Sequence, residues 1–487
     1  MGNIVERIGE KSWRAGLVAL LFLSLVACAS VPRDTGFDEL FDAPAFAAAR
    51  WGAAVRSTET GRVVYRRDEQ KAFTPASSMK LFTTAVALVK LGPEFRYTTE
   101  LSAVGEAKDG ILHGDLVVRG SGDPTLSAAV FEAWIEKLIA GGIREIRGRV
   151  IGDDTAFDDQ LLGTGWSWDD ETFGYAAQIS GLTFNDNSIT VHITPGPHAG
   201  DPATVKITPD TRYVTVINQA VTAPADRPNA LRFVREPGAN RIRISGFIAA
   251  ASQPLSQSIS VHNPTHFAAT VLKEMLESKG IAVSGGALDI GELRTSPEYA
   301  SSKTVAVYTS PPLSDLIRIT NKLSRNLYAE QLFRTIGKVI GGEGSTARAS
   351  AVMKDTLAAM GIPPEAVAIH DGSGLSRLNL VTPLHTVILL DAMAKHEHFS
   401  YFYDSLPVAG VDGTLERRMR STGAESNVRA KTGYFSQVRA LSGYLATREG
   451  ELLAFSLLAN NYLGSPADTR ELQDRFCDLL STLSRQR

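Results

Sequence analysis

Ser77 and Lys80 stand three residues apart in the stretch FTPASSMKLFTTAVALVKLG, residues 73–92. On a helix such a pair shares a face, with Cβ atoms roughly 5–6 Å apart. A lysine amine in that position can take the proton of a serine hydroxyl, which a serine must lose to attack a carbonyl carbon. Two later groups have side chains suited to the same chemistry, Ser324-Arg325-Asn326 and Lys431-Thr432-Gly433. The patterns S-x-x-K, S-x-N and K-T-G each occur once, in that order. S-x-x-K alone is a weak signal, and its weight comes from the other two.

The elements that must position these groups are well marked. Thr74 suits an N-cap, Pro75 the first helical position, and Gly92-Pro93 a stop, so a helix is expected over 73–92. Leu81, Phe82, Ala85, Val86, Leu88 and Val89 make it apolar on nearly every side, as in a core helix. Ser324 and Asn326 fall between helical patterns at 313–322 and 327–339, where a loop can turn both side chains one way. Lys431 and Gly433 lie in the first strand of a β-meander (428–434, 437–447, 451–460), and strand alternation turns Thr432 the opposite way.

The rest of the chain frames these pieces. A hairpin is expected from 52–55 and 62–65 across Glu59-Thr60-Gly61, and helices over 346–360, 382–395 and 466–483. Between 98 and 302 short β-branched runs dominate, with helical patterns at 128–141 and 266–280. The expectation is an α+β protein, an antiparallel sheet with helices, split by a mostly-β insertion. The expected domains are 30–98 with 303–487, and an insertion at 99–302 of two subdomains, about 99–122 with 200–302, and 123–199.

Composition sets outer limits. The 487 residues are 44% hydrophobic and 21% charged, too many for one compact core. A net charge of −3 without a long basic run argues against a nucleic-acid partner. Arg7, Lys11 and Arg14 precede an apolar run at 15–27, the form of a signal peptide, so export is expected. That run ends Leu25-Val26-Ala27-Cys28, similar to a bacterial lipobox, which implies cleavage within 1–29 and a lipid anchor on Cys28; the competing reading is ordinary cleavage after Ala29. The other cysteine, Cys477, sits beside Phe476 and Leu480 and reads as a small buried hydrophobe.

Beyond the three motifs, several stretches carry a wider resemblance: GSGDPTL at Gly120, SPPLSDLIRITNKLSRNLYAEQL at Ser310, DGSGLSR at Asp371, LPVAGVDGTL at Leu406 and RAKTG at Arg429. Over nearly the whole mature chain the sequence resembles the D-alanyl-D-alanine carboxypeptidase/endopeptidase family, the class C low-molecular-mass penicillin-binding proteins. The long insertion after the serine helix separates that family from β-lactamases. The resemblance implies a penicillin-binding-protein/β-lactamase-like transpeptidase domain. It also implies a serine DD-peptidase acting on peptidoglycan stem peptides, with β-lactam antibiotics as acylating inhibitors and no metal or cofactor.

Residue by residue, the resemblance makes Ser77 the nucleophile and Lys80 its base. Ser324 relays the proton to the leaving nitrogen, and Asn326 orients Lys80 and holds the substrate backbone. The backbone N–H groups of Ser77 and Tyr434 form the oxyanion hole. Lys431, Thr432 and Gly433 form the substrate-binding strand, with Lys431 and Thr432 on the terminal carboxylate. Where relatives often carry a small hydroxyl residue after K-T-G, this chain has Tyr434. An ordinary lysine is charged at neutral pH, so burial and a nearby like charge, for which Lys431 is the candidate, must lower the pKa of Lys80.

Other features read as structural. The glycine-rich runs 120–126 and 371–377 are read as turns, and Trp166 and Trp168 as packing of a small subdomain. His396 with His398, and His262 with His266, lack a clear third metal ligand. No G-x-S-x-G elbow occurs, which argues against an α/β-hydrolase. Two rival functions share the three motifs: a β-lactamase, and a wall-binding scaffold without turnover.

Overall fold

The computed structural model describes residues 35–484 except 296, 298, 300 and 301. The signal-like run and Cys28 lie outside the described residues. The chain begins with helix α1 (Thr35–Phe41), the hairpin β1 (Arg50–Ser57) and β2 (Val63–Arg67), and helix α2 (Met79–Leu91). It then enters a long excursion through β3 (Thr98–Lys108), β4 (Ile111–Arg119), α3 (Ala128–Ala140), β5 (Glu145–Ile146) and β6 (Val150–Asp153). The excursion continues with β7 (Ser188–Thr194), β8 (Thr204–Thr208), β9 (Thr215–Ala223), β10 (Ala230–Arg235), β11 (Arg241–Ala249) and β12 (Leu255–Ser260). It closes with α4 (Pro264–Ser278), β13 (Ala282–Val283), β14 (Ala287–Asp289) and β15 (Ser302–Thr309). Five helices follow: α5 (Leu313–Lys322), α6 (Asn326–Gly341), α7 (Thr346–Ala359), α8 (Pro383–Ala394) and α9 (Phe399–Ser405). The meander β16 (Arg429–Phe435), β17 (Val438–Ala446), β18 (Leu452–Asn460) and helix α10 (Pro466–Ser481) complete it.

The two ends of the chain meet in one antiparallel sheet of order β16-β17-β18-β1-β2. Its central strand β18 has an almost unbroken apolar sequence because helices cover both faces. Ala454 and Leu458 face a core built with Phe82 and Val86 of α2, Leu316 of α5 and Leu389 of α8. Phe455 and Leu457 face the opposite core, with Phe37 and Phe41 of α1 and Phe476 and Leu480 of α10. Cys477 is buried in that second layer. Among the described residues no helix is long and apolar enough to cross a membrane.

Strand pairing within the insertion cuts across the expected subdomains. β5 and β6, from the segment assigned to 123–199, join β3, β4, β13, β14 and β15 in a seven-stranded sheet. β7, from the same segment, pairs instead with β8 and β12 on the far side of residue 200. The third sheet, β10-β11-β9, shares a core with the other two through Ile189, Ile242, Phe267 and Leu116. The boundary at 302 is also too early, because β15 remains antiparallel to β3 out to Thr309. Alternation within single strands marks where strands lie, whereas these groupings depend on pairings between distant segments.

The serine segment departs from the expected helix start. Thr74 is no N-cap: its backbone N–H donates to Asn460 Oδ1 at 2.8 Å, and its carbonyl accepts from Asn460 Nδ2 at 3.2 Å. Phe73 exchanges backbone bonds with Val381 at 2.8 and 3.0 Å, so the chain runs extended as far as Thr74. Ala76 then takes a left-handed φ of 46°, Ala76–Ser78 forms a 3₁₀ turn, and α2 starts at Met79. At its far end Gly92 caps the helix with φ 79°, as its sequence implies.

Asn460 thus ties the last strand of the meander to the segment before Ser77. Asn460→Ala leaves a half-buried N–H and carbonyl without that partner, which is expected to cost about 1–3 kcal/mol of stability in denaturant unfolding. It should also slow acylation of the serine that the resemblance makes the nucleophile, since the 3₁₀ turn loses its anchor. Unchanged stability together with an unchanged acylation rate would show that the strap is dispensable.

Candidate active site

Two glycines let the site assemble. β16 passes so close to the serine turn that a Cβ at Gly433 would stand 2.5 Å from the Pro75 carbonyl oxygen. From the other side Gly374, with φ 82°, lies where a Cβ would meet the Ala76 oxygen at 1.9 Å. Only a residue without a side chain fits either crossing. Ser77 is consequently held between the K-T-G strand and the loop at 371–376.

Lys80 sits one turn further along with no solvent exposure. Its Nζ reaches Ser77 Oγ at 2.9 Å, Asn326 Oδ1 at 2.6 Å and the Ser373 carbonyl at 2.7 Å. Asn326 is the first residue of α6, and its Nδ2 donates to the Tyr175 carbonyl at 2.8 Å, which fixes the amide orientation. Ser324 has a left-handed φ of 57° in the α5–α6 connection and accepts from Lys431 Nζ at 2.9 Å. Lys431 is also fully buried, and its remaining bond goes to the Thr432 carbonyl at 2.9 Å. The predicted residues therefore come together as two couplets, Ser77–Lys80–Asn326 and Ser324–Lys431, and Ser324 makes no hydrogen bond to Lys80 among the described residues.

Burial sets the electrostatics. It pulls Lys80 down to about 7, against the opposing pull of Asp371 and Glu330. Lys431 lies well below the ordinary lysine range, through burial first and then the nearby Lys80. Burial, and not a like charge from Lys431 as expected, is what lowers Lys80; the like-charge effect runs the other way, from Lys80 onto Lys431. Glu330, fully buried on α6, is pushed up to about 7 by burial and by Asp371.

Glu330 and Asp371 are the residues the sequence analysis missed. Glu330 accepts from the Ser373 N–H at 2.8 Å and the Gly372 N–H at 3.1 Å, holding the loop whose carbonyl receives Lys80. Asp371 accepts from the backbone of Gly374 and Ser376 at 2.8 and 2.6 Å and from Asn379 Nδ2 at 2.6 Å. The 371–377 run is accordingly a turn, but one that contacts the lysine of the site. Trp166 is not subdomain packing: its Nε1 donates to Asp371 Oδ2 at 2.9 Å, while Trp168 is exposed. The one hint in the sequence is spacing: Glu330 follows Asn326 by four residues, which on a helix puts both on one face.

A cleft of about 470 Å³ opens over these groups, lined by Ser77, Ser324, Asn326, Thr414, Thr432 and Tyr434, with Asp170, Tyr175, Arg377 and Phe435 at its other end. Ser77 N–H lies in the first turn of its helix, where no intrahelical acceptor exists. β16 is the sheet edge, and the Ala430 N–H points away from β17 to the Pro407 carbonyl at 3.0 Å. Alternate residues of an antiparallel strand share that direction, so the N–H groups of Thr432 and Tyr434 face the open edge. The Tyr434 side chain is 56% exposed, with the Arg439 guanidinium 4.5 Å from its ring centre.

The chain is similar to several known proteins over most of its length. The D-alanyl-D-alanine carboxypeptidase of Actinomadura sp. (strain R39) is 37% identical over 438 residues, 88% of this chain and 80% of that protein. The D-alanyl-D-alanine carboxypeptidase DacB of Haemophilus influenzae is 30% identical over 392 residues, 80% of each. The crystal structure of penicillin binding protein 4 (dacB) from Haemophilus influenzae superposes with a TM-score of 0.81 at 26% identity, covering 92% of this chain and 99% of that one. A second structure of that protein, complexed with a β-lactam, gives a TM-score of 0.75 at 24% identity over 92% of this chain and all of that one. Residues 35–483 match the D-Ala-D-Ala carboxypeptidase 3 (S13) family, and the chain belongs to that family.

Proposed function

We propose that Ser77 is the nucleophile of a serine-type D-alanyl-D-alanine carboxypeptidase and that Lys80 is its base. The observation that carries this reading is a fully buried amine 2.9 Å from a cleft-lining hydroxyl. Neutral Lys80 takes the Ser77 proton as Oγ bonds to the carbonyl carbon between the two D-alanines of a stem peptide. The oxyanion develops against the N–H groups of Ser77 and Tyr434, each worth about 2.7–4 kcal/mol. The C–N bond then breaks, and the departing amine receives a proton through Ser324, the hydroxyl that lines the cleft and is held by Lys431. Water later hydrolyses the ester and restores Ser77.

Thr432 fits the carboxylate role better than Lys431. Its hydroxyl donates to Thr414 Oγ1 at 2.9 Å and both line the cleft, whereas Lys431 is covered. Lys431 acts from behind, through Ser324. A β-lactam offers the same carbonyl with a leaving nitrogen that stays tethered, so it would acylate Ser77 and remain. The peptidase region is proposed to comprise 30–98 with the helices and meander after 309, and export with a lipid on Cys28 is proposed from the lipobox resemblance.

Fluorescent penicillin and a D-alanyl-D-alanine pentapeptide test the main reading together. Long-lived labelling that disappears in Ser77→Ala, with D-alanine released by the wild type, is expected. Rapid penicillin turnover without peptide cleavage would replace it with a β-lactamase. Mass spectrometry of the mature N-terminus decides the anchor, for which a diacylated Cys28 is expected and an unmodified Ser30 terminus would refute it.

The pH dependence carries a sign. Only neutral Lys80 can act as base, so the acylation rate should rise about tenfold per pH unit below a midpoint near 7 and then level off. Glu330→Gln removes a negative charge that raises the Lys80 pKa, and the midpoint should move to lower pH. Gln keeps one oxygen for the loop N–H groups, so penicillin labelling should survive. A midpoint that stays put, or moves upward, would show that Glu330 does not act on Lys80.

A further inference from the structure

The sheet β10-β11-β9 has two unlike faces. Ile242, Ile244 and Ile248 of β11 point into the core of the insertion, and Arg241, Arg243, Ser245 and Phe247 alternate with them to point outward. In register on that outer face, Val234 and Ile217 flank Arg243, and Arg232 and Gln219 flank Ser245. Arg227, from the turn before β10, closes the row with its guanidinium 3.9 Å from the Phe247 ring centre. All four arginines are exposed. Glu236 lies 3.7 Å from Arg241 and 3.8 Å from Arg243, and Asp226 stands next to Arg227 in the turn. Arg227 and Arg232 have no ion pair among the described residues. A chain of net charge −3 thus gathers four arginines against these two acids at one sheet face.

The shape of the patch says what it fits. The nine residues of β11 run about 30 Å and three strands span about 10 Å, so the arginines stand on a platform and not in a groove. Outward residues on one strand are about 7 Å apart, which spreads the charges over a plane, with the half-buried aliphatic side chains of Val234 and Ile217 between them. We infer that this face docks on a membrane surface carrying anionic phospholipid headgroups. Guanidinium groups pair two-pronged with headgroup phosphates, while arginine stems and the two aliphatic side chains meet the less polar layer beneath. A soluble polyanion would use the charges and leave Val234 and Ile217 in water. The contact does not depend on the Ser77 reading, and it is separate from the lipid proposed on Cys28. It gives the insertion a role of its own at the membrane.

The test uses Cys28→Ala protein, which cannot be acylated at that position, and vesicles of phosphatidylcholine alone or with about 30% phosphatidylglycerol. Stronger co-sedimentation with the anionic vesicles is expected, weakening between about 0.05 and about 0.5 M salt as the charges are screened. Binding to the neutral vesicles reports any contribution from the N-terminal apolar run. Arg232→Gln/Arg243→Gln should lower the partition coefficient on anionic vesicles about fivefold per arginine, with the melting transition and penicillin labelling unchanged. Arg227→Gln/Arg241→Gln, measured in parallel, carries the same expectation. Arg417→Gln/Arg470→Gln removes the same charge from two exposed arginines of the peptidase region, and its binding should stay within about twofold. Equal binding to both vesicles, or sheet variants that bind as their parent does, overturns the inference. An equal loss in Arg417→Gln/Arg470→Gln also overturns it, because net charge alone would then explain the binding. Retention on soluble poly-glutamate through the same arginines, without vesicle binding, would make the partner a soluble polyanion and overturn the lipid assignment.

Discussion

A lysine amine removed from water must find its partners inside the protein or give up its charge. Lys80 does part of each. Three oxygens surround its Nζ, from Ser77, Asn326 and Ser373, and they come from the serine turn, the start of α6 and the 371–376 loop. Among the described residues no carboxylate touches it directly. Asp371 and Glu330 act from the next layer, and this distance leaves Lys80 near neutrality instead of fixing it as a permanent cation. A direct ion pair would have raised the pKa and left the amine unable to play the base proposed for it. The second layer is therefore as much a part of the site as the amine: it positions the Ser373 carbonyl through two backbone bonds and sets how far burial can lower the lysine.

That layer explains why the insertion is not a separate appendage. Trp166 bonds Asp371, Ser376 Oγ donates to the Thr164 carbonyl at 2.6 Å, and Gln331 of α6 donates to the Ser180 carbonyl at 2.9 Å. Arg334, buried on the same helix, pairs with Asp158 and donates to the Gln160 carbonyl at 2.9 Å. Segment 158–183 thus clamps the loop that receives Lys80, and Tyr175 and Asp170 from it reach the cleft. The excursion leaves the fold after α2 and returns to brace the site from outside.

How much of this the sequence discloses depends on the range of each interaction. α2, the α5–α6 turn and the meander are legible because caps, period and alternation act within a few residues; Gly92 and the Ser436-Gln437 hairpin are examples. The five site side chains are legible because common residue types meet in three patterns of fixed order. The start of α2 is not, since Thr74 and Pro75 satisfy capping preferences that the Asn460 strap, 386 residues away, overrides. Glu330 is hidden for the same reason. Nothing near it in sequence says that its carboxylate lies under residues 372 and 373, and a polar residue in an amphipathic helix is ordinarily read as solvent-facing. The insertion's three sheets mix segments more than a hundred residues apart, which local pattern cannot sort.

The division of labour on β16 depends on register more than on residue choice. Lys431 and Gly433 share the face that meets the serine turn, while Thr432 and Tyr434 share the other. A slip of one residue would bring the Lys431 side chain out to the cleft and press Thr432 against Pro75, leaving the Ala430 methyl in place of a buried amine beneath Ser324. Two features at opposite ends of the strand oppose that slip. The Phe435↔Val438 pair closes a two-residue turn in which Gln437 takes a φ of 65°, and at the other end the Ala430 N–H is held by Pro407. Gly433 adds a steric check, because every other residue type at the Pro75 crossing collides. Lys431 can therefore serve Ser324 from behind, and Thr432 can face the substrate, only while the hairpin turn and the Pro407 contact hold the same frame.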